Sequence, residues 1–206
     1  MNALLRRRTD GTQGGQGLVE FSLILPVIML LLLGMLEFGF AFDHAIGLGY
    51  STREGARTGS ALAEGNPAGP VTCSEVDAYV VSAVQRVIKS PGSQVVVSRV
   101  QEIRIFDANS TGGETGTSVN VWTYTPGTGP TVDGLALDFS PQTVNWNACT
   151  AGSRSAAYPA DSIGVGIRYT YGFVTPLGAM FNIFGPGTAQ LTLSDRTVMA
   201  MNPGAN

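Results

Sequence analysis

The chain has 206 residues and a formal net charge of -3 at pH 7, and only 13% of its residues are charged. Charged residues make up about a quarter of an ordinary soluble domain. The only basic run is Arg6, Arg7 and Arg8, so the sequence lacks the extended positive surface that nucleic-acid binding requires. The length allows one modest domain in addition to a membrane segment.

Residues 21–42 form an apolar run, FSLILPVIMLLLLGMLEFGFAF, in which Glu37 is the only charge. A helix of about 20 residues crosses the hydrocarbon layer of a bilayer, so the run predicts a transmembrane helix. Pro26 lies inside it and favours a kink. Arginines precede the run, which by the positive-inside rule leaves the N-terminus in the cytoplasm and the rest of the chain outside.

The helical pattern continues beyond the apolar run to about residue 64, where Gly65, Asn66 and Pro67 end it. We therefore expect segment 16–64 to form one long helix that starts at about residue 17. The second half of this helix projects outward. Four glycines in that second half are unfavourable for a regular helix: Gly47, Gly49, Gly55 and Gly59. The alternative is a cleaved signal peptide, but the apolar run is longer than a usual signal-peptide core.

The segment before the apolar run reads GQGLVEF over residues 15–21. Gly15, with Glu20 five residues later and Phe21 next, looks like a prepilin processing site. Cleavage would separate Gly15 from Gln16, and residues 1–15 would be a cytoplasmic leader. The glycines around this bond predict a non-helical stretch that enters a protease in an extended conformation.

Two motifs extend this resemblance: VEFSLILP over residues 19–26, and REGAR over residues 53–57. With them, residues 13–64 resemble the TadE-like family of the tight-adherence (Flp-type) pilus machinery. The strands expected near the C-terminus are also similar to that family. One departure is Phe40, which follows Glu37-Phe38-Gly39 where the family often has Arg.

The resemblance implies a pilin-like membrane subunit with three kinds of partner: the lipid bilayer, a prepilin peptidase, and other pilus or secretion subunits that bind the N-terminal helix. It implies assembly roles for Glu20, Pro26, Glu37, Arg53, Glu54 and Arg57. For Glu20 the implied partner is the α-amino group of Gln16 on a neighbouring subunit. The alternative is a surface carboxylate favoured by the positive end of the helix.

The other charges of the helix have plainer interpretations. Glu37 lies where the helix leaves the hydrocarbon, and we expect it to reach water. Glu54 and Arg57 are three residues apart on a helix and can pair. With Arg53 they form either a solvated face or a docking surface, and the sequence leaves both open.

Residues 65–206 are expected to form an extracytoplasmic α+β domain. Apolar residues recur at helical spacing over 72–90, which predicts an amphipathic helix. About four strands follow, which predict an antiparallel sheet under that helix; they are expected at 94–106, 118–125, 163–171 and 189–201. The apolar segment 173–187 could form a hairpin loop that packs on the helix or lies near the membrane. We expect it to be buried at the end of the sheet, with an exposed contact surface as the alternative.

Cys73 and Cys149 are the only cysteines. Outside the cytoplasm they predict a disulfide, and two buried thiols are the alternative. His44 is the only histidine, so a zinc site or a Ser-His-Asp arrangement is not expected. No phosphate-binding or nucleophile motif is present, and we expect no enzyme activity, cofactor or small-molecule substrate.

These features favour a pilin-like subunit needed for assembly of a tight-adherence pilus or secretion apparatus. One alternative is a signal-anchored extracellular binding domain that does not polymerise. Another is a secreted enzyme behind a signal peptide. The position of the mature N-terminus distinguishes the three hypotheses.

Overall fold

A computed structural model describes residues 13–63, 65, 71–151, 153–157, 159–183, 185 and 190–201. Three helices are present in these residues: α1 (Gln13–Leu62), α2 (Val76–Ile88) and α3 (Leu177–Asn182). The strands are β1 (Val100–Ala108), β2 (Glu114–Tyr124), β3 (Thr131–Val132), β4 (Leu135–Ala136), β5 (Phe139–Val144), β6 (Ser162–Gly172) and β7 (Gln190–Ala200), and a 3-10 turn (Val97–Arg99) precedes β1.

The chain forms two compact units. The first contains the described residues up to Gly39 and those of 173–189, and the second contains the described residues of 40–172 and 190–201. Part of the expected leader, with Arg6, Arg7 and Arg8, lies outside the described residues. So do the helix-ending Asn66 and Pro67, and part of segment 173–187.

In the first unit, α1 is long and apolar enough to cross a membrane, and its apolar side chains are mostly exposed. The helix begins at Gln13, so the expectation of a non-helical stretch around Gly15 is wrong. Each glycine costs a helix only about 1 kcal/mol relative to alanine. Extending an existing helix adds a hydrogen bond for each residue ordered, which offsets that penalty.

In the second unit, the outer half of α1 packs through a face of small residues. A side chain on Gly55 would come within 2.6 Å of Val84 on α2, and one on Gly59 within 2.5 Å of Ile163 on β6. The helix continues to Leu62 despite its glycines, and two of them permit close packing. The buried positions on this face are Leu48, Ser51, Thr52, Gly55, Ala56, Gly59 and Ala63.

The sheet has five antiparallel strands in the order β5-β2-β1-β6-β7. Valines of α2 and isoleucines of the central strands are buried in the core. The predicted α+β fold, with a second helix and an antiparallel sheet, is confirmed, although the sheet has one more strand than expected. The additional edge strand, β5, pairs with β2. A short β3–β4 pair was also not predicted.

The segment that follows β6 differs from its expected state. Residues 173–183 were expected to be buried, yet Val174, Met180, Phe181 and Ile183 are exposed. Only Leu177 among the large apolar side chains of α3 is buried. The segment belongs to the first compact unit rather than to the unit that contains the sheet, so its side chains are not part of the sheet core.

Candidate functional site

The candidate functional residues of the N-terminal segment lie along α1. Gly15, Gln16, Glu20 and Phe21 are helical and exposed. The side-chain amide of Gln16 donates a hydrogen bond of 2.9 Å to the carboxylate of Glu20, one turn away. Because the fifth residue of a helix lies above its first, the geometry places these two residues on one face.

Pro26 lies inside α1, and the helix continues on both sides of it. Proline cannot donate the hydrogen bond that the carbonyl group one turn earlier would accept, which weakens the helix locally. Pro26 is exposed on the helix surface. It is therefore accessible to another helix or to lipid.

Glu37 lies in a site that differs from its predicted one. Its side chain was expected to reach water, but it is only 6% exposed. Its two carboxylate oxygens accept hydrogen bonds from the backbone N–H groups of Val174, at 2.9 Å, and Thr175, at 2.8 Å. A buried carboxylate is costly unless it is hydrogen-bonded, and these backbone donors meet that need.

The REGAR motif has two faces. Arg53 and Arg57 are exposed, and the Nε atom of Arg57 lies 3.4 Å from the carboxylate of Glu54. Gly55 and Ala56 are buried in the second unit. The motif therefore combines a close packing position with a charged outer surface.

Two polar residues of α1 that the sequence did not identify attach the helix to the sheet. The hydroxyl of Thr52 hydrogen-bonds to the carboxylate of Asp195 and lies 3.0 Å from the hydroxyl of Thr197, both on β7. His44 is buried, and its ring lies edge-on to Tyr171 with centroids 5.0 Å apart. No local pattern in the sequence indicates these contacts, because the partners on β6 and β7 lie far from α1 in the chain.

Cys73 and Cys149 form a disulfide in the structure, with their Cα atoms 5.0 Å apart. Beside this region is a buried polar cluster. The guanidinium group of Arg154 lies 2.7 Å from the carboxylate of Asp77 and stacks 4.3 Å over the ring of Trp146. No short motif indicates this cluster, because Asp77 lies far from Trp146 and Arg154 in the chain.

Among the described residues, no group of three or more His, Cys, Asp or Glu side chains is placed to hold a metal ion. The charged candidates of α1 occur at separate points along the helix rather than around one cavity. The arrangement offers surfaces for protein and lipid contacts.

The comparison with known families bears on the same helix. Residues 15–57 match the model of the family described as TadE-like protein. This part of the chain is a TadE-like segment. The match confirms the resemblance seen in the sequence, and it extends from the proposed processing site to the last arginine of REGAR. No curated protein and no solved structure matches the chain.

The TadE-like segment coincides with one continuous helix, α1, which contains the membrane-spanning candidate. Residues 15–57 therefore resemble the N-terminal, membrane-anchor-like helix of pilin-like proteins of tight-adherence pilus systems. The family is one of pilus structure and assembly rather than of enzymes.

Proposed function

We propose that the protein is a membrane-anchored, pilin-like subunit needed for assembly of a tight-adherence pilus or secretion apparatus. The observation that supports this most is the coincidence of the TadE-like match with an exposed apolar helix directly after a prepilin-type processing motif. The helix is anchored in the bilayer with its N-terminus in the cytoplasm. The sheet domain lies outside, where it contacts other components.

Processing releases the subunit for assembly. A prepilin peptidase cleaves between Gly15 and Gln16, which removes the leader and its three arginines. Because this bond is helical in the structure, the peptidase must unwind about one turn to reach it. Glycine favours the helix least of all residues except proline, so Gly14, Gly15 and Gly17 make that unwinding easier.

The new α-amino group of Gln16 is the assembly partner of Glu20 on a neighbouring subunit. An α-amino group with an ordinary pKa of about 7.7–8.0 is largely protonated at pH 7. When apolar helices pack into a bundle, an unpaired carboxylate is costly. The pairing of Glu20 with the α-amino group stabilises the correct axial stagger of neighbouring helices. Arg53 and Arg57 are exposed and Glu54 is half-buried, and together they provide a second docking surface further along the helix.

N-terminal sequencing of the protein from its native membranes tests the processing step. The expected mature chain starts at Gln16, and Gly15→Ala should accumulate as the uncleaved form. Gly17→Ala is the matched control, since it changes a neighbouring glycine that does not precede the cleaved bond. An intact Met1 in the native protein would favour the signal-anchored binding domain, and a start near Phe42 would favour a secreted protein.

Glu20→Gln tests the assembly step. It keeps the shape of the side chain and removes its charge, so cleavage should continue while incorporation into the assembled apparatus falls. Gln16→Ala is the control, because it removes the hydrogen bond within the helix but leaves the α-amino group. Equal assembly by Glu20→Gln and the native chain would contradict the proposed role of Glu20.

A further inference from the structure

The exposed apolar segment 173–183 belongs to the same compact unit as the apolar first part of α1. Ile183 is 82% exposed and Val174 is 63% exposed, and Met180 and Phe181 are also exposed. The sequence contains no charged residue between Arg168 and Asp195. An exposed, uncharged group of large apolar side chains indicates a contact surface rather than a solvent-exposed loop.

The attachment of this segment to α1 sets its depth. The backbone N–H groups of Val174 and Thr175 donate to Glu37. At 1.5 Å per residue, Glu37 lies about 24 Å along the helix axis from Phe21, where the apolar run begins. A hydrocarbon layer is about 30 Å thick. The point of attachment is therefore inside the bilayer, near its outer boundary.

The backbone of the segment is suited to that environment. Donors exposed to hydrocarbon are costly unless they are paired within the protein. Glu37 accepts from the two residues before Pro176, which has no N–H group to satisfy. In the turn that follows, Gly178 donates to Thr175 at 3.1 Å, and Ile183 donates to Met180 at 3.3 Å. The rings of Phe173 and Phe181 also pack edge-to-face, which holds the segment together.

We infer that residues 173–183 form a second membrane contact of the protein, whose partner is the acyl-chain region of the leaflet into which α1 emerges. Glu37 joins this contact to the transmembrane helix. Anchored at two places along the sequence, the protein has a fixed depth in the bilayer. Extraction of the helix then requires this segment to leave the lipid as well.

Fluorescence quenching in reconstituted vesicles tests the contact. Both native cysteines are in the disulfide, so Ile183→Cys in the full chain introduces one free thiol for a polarity-sensitive fluorophore. Vesicles are made of phosphatidylcholine with or without bromine on the acyl chains. Val144→Cys is the matched control, since Val144 is another exposed branched residue, on edge strand β5 of the second unit.

The label at residue 183 should be quenched several-fold more by brominated lipid than the label at residue 144. The quenching should not change when the protein-to-lipid ratio is lowered. Equal quenching at the two positions would overturn the inference. The inference would also be overturned if the label at residue 183 reported an apolar environment only at high protein density. The partner would then be a second copy of the chain.

Glu37→Ala tests the link between the segment and the helix. This variant should remain in the membrane fraction, because the apolar run is unchanged, but quenching at residue 183 should fall by at least half. Undiminished quenching would contradict the assignment of depth through Glu37. None of these measurements needs the pilus machinery, so their failure would be distinct from a failure of the assembly proposal.

Discussion

Arg154 and Asp77 form an ion pair inside the second unit. The side chain of Arg154 is fully buried, and a side-chain amide from Asn120 donates to the same carboxylate at 2.6 Å. Removing one partner of a buried pair leaves the other charge without compensation. The importance of a charge in this protein therefore depends on its burial rather than on its position in a motif.

Asp77→Ala should lower the free energy of unfolding by about 3–5 kcal/mol, because the Arg154 guanidinium would remain buried without its carboxylate. Urea unfolding in detergent measures this through the fluorescence of Trp122 and Trp146, the two tryptophans of the chain. Glu54→Ala is the control, since it removes an exposed partner of Arg57 and should cost less than about 1 kcal/mol. Equal effects of the two variants would contradict the prediction.

The disulfide between Cys73 and Cys149 closes a loop with a sequence separation of 76. In the chain-entropy model, such a loop stabilises the folded state by about 4 kcal/mol. Replacing both cysteines by alanine should lower the stability by about that amount in the same urea experiment. The native protein, denatured without reductant, should show no titratable thiol, and two thiols would contradict the bridge.

The ion pair between Arg104 and Glu114 predicts a dependence of stability on pH. Two hydrogen bonds of 2.6 Å join the guanidinium and the carboxylate, and they lower the pKa of Glu114 below its ordinary value of 4.5. A lowered folded-state pKa contributes stability above pH 4.5, which is lost as the pH falls through the folded value. Glu114→Gln should therefore reduce the loss of stability below pH 4.5.

Urea unfolding of the native chain and Glu114→Gln at several acid pH values measures this difference. Burial raises the pKa of nearby Asp107, an effect of opposite sign. Because Asp107 is present in both proteins, its contribution cancels in the comparison. Parallel stability curves for the two proteins would contradict the assigned role of Glu114.

At the scale of elements, the position of α1 depends on its glycines. Gly55→Ala would bring a methyl group to 2.6 Å from Val84 and 3.1 Å from Val165. Such overpacking should cost about 1–3 kcal/mol. Gly49→Ala is the control on the same helix, where the nearest atoms are 3.9 Å away. It should be neutral or stabilise the helix by up to about 1 kcal/mol.

The elements with a clear periodicity were predictable from the sequence: α1, α2 and the four long strands. Strand β5 was not, because its sequence FSPQTV lacks clear alternation and contains Pro141. Its strand state comes from pairing with β2, and proline is tolerated at an edge. Local sequence patterns thus identified the elements whose own residues show a helical or strand periodicity. They did not identify β5, whose strand conformation depends on pairing with β2.

The candidate site shows the same division. The processing motif and REGAR were visible because each is a short continuous segment. The hydrogen bonds of Glu37 were not, because their donors lie at Val174 and Thr175, far along the chain. Sequence alone placed Glu37 at the edge of the membrane and left water as its natural partner. Burial of segment 173–183 was expected, and its exposure was only the alternative, for the same reason.

At the scale of the whole molecule, the orientation of the chain in the membrane decides what its domain can contact. The apolar helix of the TadE-like segment is long enough to span a membrane, and we expect the charge asymmetry of the sequence to set its direction. The basic residues before the apolar run are Arg6, Arg7 and Arg8, and Arg53 is the first after it. Positive residues remain on the cytoplasmic side.

Protease added to intact cells should therefore digest the domain that follows residue 43 and leave the N-terminus protected. The Gly15→Ala variant, with an epitope tag at its N-terminus, is the suitable protein because it should retain the leader. The tag should survive in intact cells and be digested after the membrane is permeabilised. Replacing the three leader arginines by glutamine should increase the fraction of chains whose tag is digested from outside. If protease digests the tag of the variant that still has its three leader arginines in intact cells, the orientation is the opposite one. The sheet domain would then be unable to reach an extracellular partner.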